Sequence, residues 1–159
     1  MKYVKEYLPY VIIIIAVILI RAFIITPVRV QGPSMNNTLE NGDILLLYKL
    51  GKINRFDVVV LQEEDDKEVI IKRVIGMPGE TISIVDDVIY INGEKLEENY
   101  SIGNTGDYKV TTLGSDEYFL LGDNRTVSKD SRIIGPVKKK DIKGKTIFRL
   151  YPFKKIGTI

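Results

Sequence analysis

The chain changes its hydropathy pattern once, near residue 26. Residues 8–25, LPYVIIIIAVILIRAFII, are apolar apart from Arg21, and they approach the roughly 20 residues that a membrane-crossing helix needs. Arg21 lies near the far end, where a long side chain reaches the headgroups at modest cost. An all-round aliphatic surface leaves no polar stripe for a surface helix, so the segment is an anchor, a cleaved signal sequence or a buried core helix. Cleaved signals end in small residues in an A-x-A-like pattern, and the chain has alanines only at 16 and 22. The segment is therefore read as an uncleaved anchor. Lys2 and Lys5 precede it while Arg21 and Arg29 lie at or beyond its end, so the positive-inside bias leaves its orientation open.

From residue 26 the pattern becomes short alternating runs broken by Gly, Asn and Asp, as in an all-β domain. PVRVQ leads into a turn, GDILLLYKL and FDVVVLQ read as strands, and the acidic EEDDKE is read as the solvated loop of a hairpin returning through VIIKRVI. TISIVDDVIYINGEKL reads as a meander with tight turns at Asp86-Asp87 and Asn92-Gly93, Asn-Gly being a strong two-residue hairpin signal. After a polar stretch from about 97 to 117, EYFLLGDNR reads as a buried strand ending in a loop. One β-rich domain on a membrane tether is predicted.

Composition then narrows the chemistry. The 159 residues include no cysteine and no histidine, which excludes disulfides, thiol nucleophiles, His-based triads and the common zinc sites. A net charge of +2 gives no argument for nucleic acid. No cofactor and no metal are expected. Any base for hydrolysis must come from lysine, a carboxylate, a tyrosine or the chain terminus.

Two residues are candidates for such chemistry. In EVIIKRVI, Lys72 shares one strand face with Ile70 and Val74, and Arg73 shares the other with Ile71 and Ile75. The basic side chains either snorkel to water from an edge strand, or Lys72 is desolvated enough to be neutral and act as a general base. A lysine with a reference pKa near 10.4 serves as a base only if burial lowers that value by several units. In VRVQGPSMNNTLENGD, Ser34 follows Gly-Pro at the end of a predicted strand. A serine in such a turn is commonly structural, yet the same turn can expose a hydroxyl together with its backbone N–H.

Four ordered blocks resemble the bacterial type I signal peptidases. GPSMNNTL is similar to the nucleophile segment, GDILLLYK to the strand after it, KRVIGMPGE to the base-bearing segment and GDNRTVSKDSRIIGPV to the C-terminal signature; FRLYPFKKIG resembles the closing strand. The resemblance implies a mainly β fold: a single N-terminal transmembrane helix, then a compact antiparallel, barrel-like catalytic domain with a short accessory β-hairpin region. It implies a cytoplasmic N-terminus over residues 1–7, an anchor over 8–25 and an extracytoplasmic catalytic domain over 26–159. The implied function is a membrane-bound serine endopeptidase that removes signal peptides from exported preproteins after small residues. Its partners are those signal peptides and membrane lipids. A catalytically silent tethered domain that binds extended peptides is the alternative.

Residue by residue, the resemblance makes Ser34 the nucleophile and Lys72 the base, with Ser128 hydrogen-bonded to Lys72 to hold its amine in line. It makes Asp130 and Arg132 a structural ion pair, and Asp123 the partner of Arg73. Val28, Val30, Met35, Leu39, Ile70 and Ile71 fall where the family lines its shallow substrate pockets. Two positions depart from the family. Asn37 replaces a common proline, which is expected to loosen the turn. Gly32 stands where some relatives carry a serine as an oxyanion donor, which leaves the Ser34 N–H as one donor and the second unidentified. The basic run VKKKDIKGKTI is read either as a solvated face or as an attraction for anionic headgroups.

Overall fold

The computed structural model describes residues 2–62 and 69–159; the acidic loop expected at 63–68 lies outside the described residues. The first element is helix α1 (Lys2–Phe23), 22 residues long, or about 33 Å at roughly 1.5 Å per residue. Every side chain from 6 to 23 is exposed, so α1 packs into no core, and the core-helix reading is excluded. It is long and apolar enough to cross a membrane. The helix ends at Phe23, two residues before the expected boundary, because Ile25 already pairs with Tyr48 in the sheet. Lys49 Nζ donates to the Ala22 carbonyl at 2.7 Å, placing a cation on the helix's unsatisfied C-terminal oxygens.

The rest of the chain is antiparallel β. The strands are β1 (Ile25–Arg29), β2 (Ile44–Tyr48), β3 (Val58–Gln62), β4 (Val69–Gly76), β5 (Thr81–Val85), β6 (Val88–Ile91), β7 (Glu94–Lys95), β8 (Tyr108–Thr112), β9 (Glu117–Leu121), β10 (Val137–Lys138) and β11 (Ile142–Tyr151). They form a seven-stranded sheet in the order β1-β2-β11-β3-β4-β9-β10 and a four-stranded sheet in the order β7-β6-β5-β8. Strand β11 pairs with β3 near its start and with β2 further on, and its register shifts three times along the way. Extra residues at such bulges bend and twist a strand, and the large sheet curls into a half-barrel accordingly.

Period-two alternation sorts the apolar residues onto two faces. Val58 and Val60 of β3 join Val30, Met35, Leu39, Leu45, Leu47 and Ile71 in one cluster. Val59 and Leu61 point the other way, into a cluster with Ile53, Val74, Tyr118, Leu120, Val137 and Ile142. A third cluster, built on Ile75, Phe119 and Leu121, joins the large sheet to Ile82, Ile84, Ile89 and Ile91 of the small one. The expected accessory hairpin is β5–β6, turned at Asp86 and Asp87, both with positive φ. Strand β7 follows the Asn92-Gly93 turn, also with positive φ at both residues, a geometry that matches the right-handed twist of paired strands.

The hairpin is widened on its other edge by β8, which lies within the polar stretch 97–117. In YKVTT only Tyr108 packs inward, its ring 4.9 Å from that of Phe119, while Val110 on the same alternating face is exposed, so the segment carries too little buried apolar surface to stand out from its polar surroundings. The basic run divides: Lys138, Lys139 and Lys140 are exposed, as a solvated face would be, and the rest joins the sheet. From Ile142 it forms the start of β11, in the middle of the large sheet, with Ile142, Gly144 and Thr146 buried and Lys143 exposed.

Candidate active site

Ser34 and Lys72 come together from segments 38 positions apart. Beyond β1 the chain stays paired through Val30, whose N–H donates to Asp43 O at 2.8 Å. It then turns at Gly32 (φ +78°). Pro33 and Ser34 open a tight turn in which the N–H groups of Thr38 and Leu39 both donate to Met35 O. The Ser34 carbonyl accepts from the Asn124 N–H at 3.0 Å, which fastens this turn to the loop after β9. Lys72 sits mid-strand in β4, opposite Val59 of β3 and flanked on its own face by Ile70 and Val74, all of which belong to one apolar cluster. Its side chain is 5% exposed, and the edge-strand reading fails because β4 lies between β3 and β9.

Lys72 Nζ and Ser34 Oγ are hydrogen-bonded at 2.9 Å. Burial lowers the Lys72 pKa to about 8; the Asp130 carboxylate opposes that change, the Arg132 guanidinium adds to it and Asp123 opposes it. Desolvation wins because the aliphatic neighbours cannot solvate an ammonium, while both nearby carboxylates already spend their charge on arginines. Among the described residues, the Ser34 backbone N–H has no hydrogen-bond acceptor.

Two ion pairs buttress the pair. Arg73 donates to Asp123 through Nε at 2.8 Å and a terminal nitrogen at 2.6 Å, and to the Phe56 carbonyl at 2.9 Å. The Thr38 hydroxyl donates to Asp123 at 2.5 Å, so the carboxylate binds both the strand that carries Lys72 and the turn that holds Ser34. Arg132 grips both oxygens of Asp130 at 2.8 Å and reaches the Thr105 carbonyl at 2.6 Å. Burial by itself would raise the Asp130 pKa, but bonds from Arg132 and the Gly122 N–H outweigh it and hold the acid below the ordinary carboxylate value.

The expected bond from Ser128 to Lys72 is not formed. Ser128 Oγ is buried and satisfied by no partner; it lies close enough to Asp130 to help lower that acid, without hydrogen-bond geometry. Beneath it, Gly122 permits an unusually close approach, since a Cβ there would meet Ser128 Oγ at 2.2 Å and the Ser34 carbonyl at 2.6 Å. Gly122 and Thr38 stand inside the GDNR and GPSMNNTL blocks, but nothing local in the sequence marks either as a contact of the site. Asn37, expected to loosen the turn, instead sits at φ +88° and donates from its amide to the Tyr100 carbonyl at 3.0 Å. The turn is tied down rather than slack.

A family model described as signal peptidase, peptidase S26, matches residues 2–151. The chain belongs to this family. A signal peptidase I from Streptococcus pneumoniae is 38% identical over 198 aligned residues, covering 99% of this chain and 97% of the relative. One from Bacillus licheniformis is 36% identical, covering 92% and 87%. The crystal structure of a signal peptidase I from Enterococcus faecalis matches 60% of this chain and 97% of its own, at 34% identity and a TM-score of 0.51. This signal peptidase family member is thus a serine endopeptidase, a hydrolase of a membrane-associated family.

Around the pair lies a shallow cavity of about 210 Å³, with walls that include Gly32, Pro33, Ile70, Ile71 and Val127. Of the six residues expected to line substrate pockets, only Ile70 and Ile71 reach this cavity. Val30, Met35 and Leu39 are at most 2% exposed and pack in the core behind the Ser34 turn, with Val28 half-buried against them. They stand behind the cavity as supporting residues, because the turn folds Met35 and Leu39 inward onto Val30, Leu45 and Leu47 of the core. Val69 and Val127, 37% and 54% exposed, stand at the cavity instead.

Proposed function

We propose that this peptidase cuts signal peptides from exported preproteins after small side chains, with Ser34 as nucleophile and neutral Lys72 as its base. The observation that carries this reading is the 2.9 Å contact between Ser34 Oγ and an amine buried among aliphatics. Ser34 Oγ attacks the scissile carbonyl as its proton passes to Lys72 Nζ, and the resulting ammonium protonates the departing amine. The same amine then activates the water that releases the acyl group. Ser34's unpaired N–H serves as an oxyanion donor. Ser128 lies in the site as a supporting hydroxyl that orients the amine once substrate closes the cavity. Asp130–Arg132 and Arg73–Asp123 are structural pairs.

An extended precursor segment binds beside the Ser34 turn. The cavity's small volume, below the several hundred Å³ of a typical ligand site, favours small side chains next to the cut. In this reading α1 spans the cytoplasmic membrane, residues 1–7 face the cytoplasm and residues 26–159 form the catalytic domain on the outer face. Membrane lipid is the second partner, with the exposed Lys138, Lys139 and Lys140 available to anionic headgroups. The test is cleavage of a precursor with an Ala-x-Ala site by purified protein in lipid. Wild-type turnover that disappears in Ser34→Ala, Lys72→Ala and Lys72→Arg is the expected result, arginine being unable to deprotonate. Turnover that persists in Lys72→Arg overturns the assignment of the base.

A further inference from the structure

We infer that Asn37 and Tyr100 form a brace that fixes the Ser34 turn against the Lys72 strand. This rests on Ser34 and Lys72 being the reacting pair. Tyr100 touches both sides of that pair through different groups. Its carbonyl accepts the Asn37 amide at 3.0 Å, three residues past Ser34. Its ring lies under the Arg73 guanidinium at 4.1 Å, one residue past Lys72. The Phe56 ring meets the Tyr100 ring edge-on at 5.9 Å, and the Tyr100 hydroxyl donates to Glu98 at 2.6 Å, which in turn pairs with Arg125. Tyr100 is therefore held at its ring face, ring edge and hydroxyl, and it is the fixed member of the brace.

The backbone of Asn37 explains why an asparagine is used. At φ +88° a proline, locked near −65°, is excluded, and asparagine is among the few side-chain-bearing residues that accept a left-handed conformation. The position therefore needs both an accommodating backbone and an amide that reaches Tyr100. The bond itself is solvent-exposed and adds little stability. Its effect is positional: it selects one placement of the turn relative to β4, and small displacements of a reacting group can cost up to about a hundredfold in rate.

The substitutions that separate these roles are Asn37→Gly, which keeps the backbone freedom and removes the amide, and Asn37→Asp, which keeps the shape and turns an acceptor towards a carbonyl. Tyr100→Leu keeps the carbonyl and removes the ring from Arg73. Cleavage of an Ala-x-Ala precursor is measured for each beside wild type, together with melting temperature. The expected result is a fall in kcat of about tenfold in each, with KM within about twofold; melting should stay near wild type in Asn37→Gly and Asn37→Asp and fall in Tyr100→Leu, which also loses the ring contacts and the Glu98 bond. The Asn37→Gly/Tyr100→Leu double variant should lose less than the product of the single losses, since both act through one brace. Asn37→Pro should lose more than Asn37→Gly. Unchanged kcat, a loss confined to KM, or full multiplicativity in the double variant overturns the brace. Absence of wild-type turnover overturns the reading of the reacting pair, a separate outcome.

Discussion

Lys72 is the residue whose environment contradicts its chemistry. With its pKa lowered to about 8, it holds its proton at pH 7 at a cost, while the unfolded chain binds the same proton freely up to about 10.4. Between about pH 8 and 10.4 the unfolded state binds more protons than the folded one, so this group's contribution to stability rises with pH across that window. Lys72→Met should accordingly melt higher than wild type at pH 7, by on the order of 2–3 kcal/mol, with the gap narrowing towards pH 10 in calorimetry. The variant should be inactive. In wild type, kcat/KM should rise through an acidic limb near pH 8 as the amine becomes neutral; a flat profile between pH 6 and 9 would remove Lys72 as the base. Gly122 makes the complementary case, where absence of a side chain matters. Gly122→Ala drives a methyl into Ser128 Oγ and the Ser34 carbonyl, and should lower kcat at least tenfold, with about 1–3 kcal/mol of destabilisation from overpacking.

At the scale of elements, the Ser34 turn has little structure of its own and takes its shape from three others: the loop after β9, the segment at Tyr100 and β11. Asn124 holds the Ser34 carbonyl, Asp123 the Thr38 hydroxyl, Tyr100 the Asn37 amide and Arg149 of β11 the Thr38 carbonyl. Asp123 does most, because it also neutralises Arg73 on β4 with its side chain fully buried. Asp123→Asn should leave Arg73 buried and unpaired, costing about 3–5 kcal/mol, and should lower the denaturant midpoint along with turnover. Asp123→Glu, which keeps the charge, should recover part of the stability and less of the activity, since the longer side chain displaces Thr38.

Across the whole molecule, α1 and the β-domain share few dependencies. The helix side chains described are exposed, and the domain reaches back to it through β1 and the Lys49 contacts with the Ala22 and Arg21 carbonyls. A variant beginning after residue 23 should therefore keep the domain's melting temperature within a few degrees. Its turnover of a soluble peptide should be retained and its turnover of a vesicle-inserted precursor reduced, measured side by side. An equal loss on both substrates would show that α1 shapes the site itself.

The sequence by itself determined the apolar N-terminal helix, the β character of the rest and the two candidate residues, Ser34 and Lys72, that the fold brings within hydrogen-bond distance. An unbroken aliphatic run, period-two alternation and four short blocks are local signals, legible without knowing which strands meet. Tertiary structure alone decided that β4 is an interior strand, that Met35 and Leu39 face the core, and that YKVTT and the basic run join sheets. It also set Asn37 against Tyr100 across 63 positions. These outcomes depend on strand order and on which face is covered, and alternation specifies only that two faces exist.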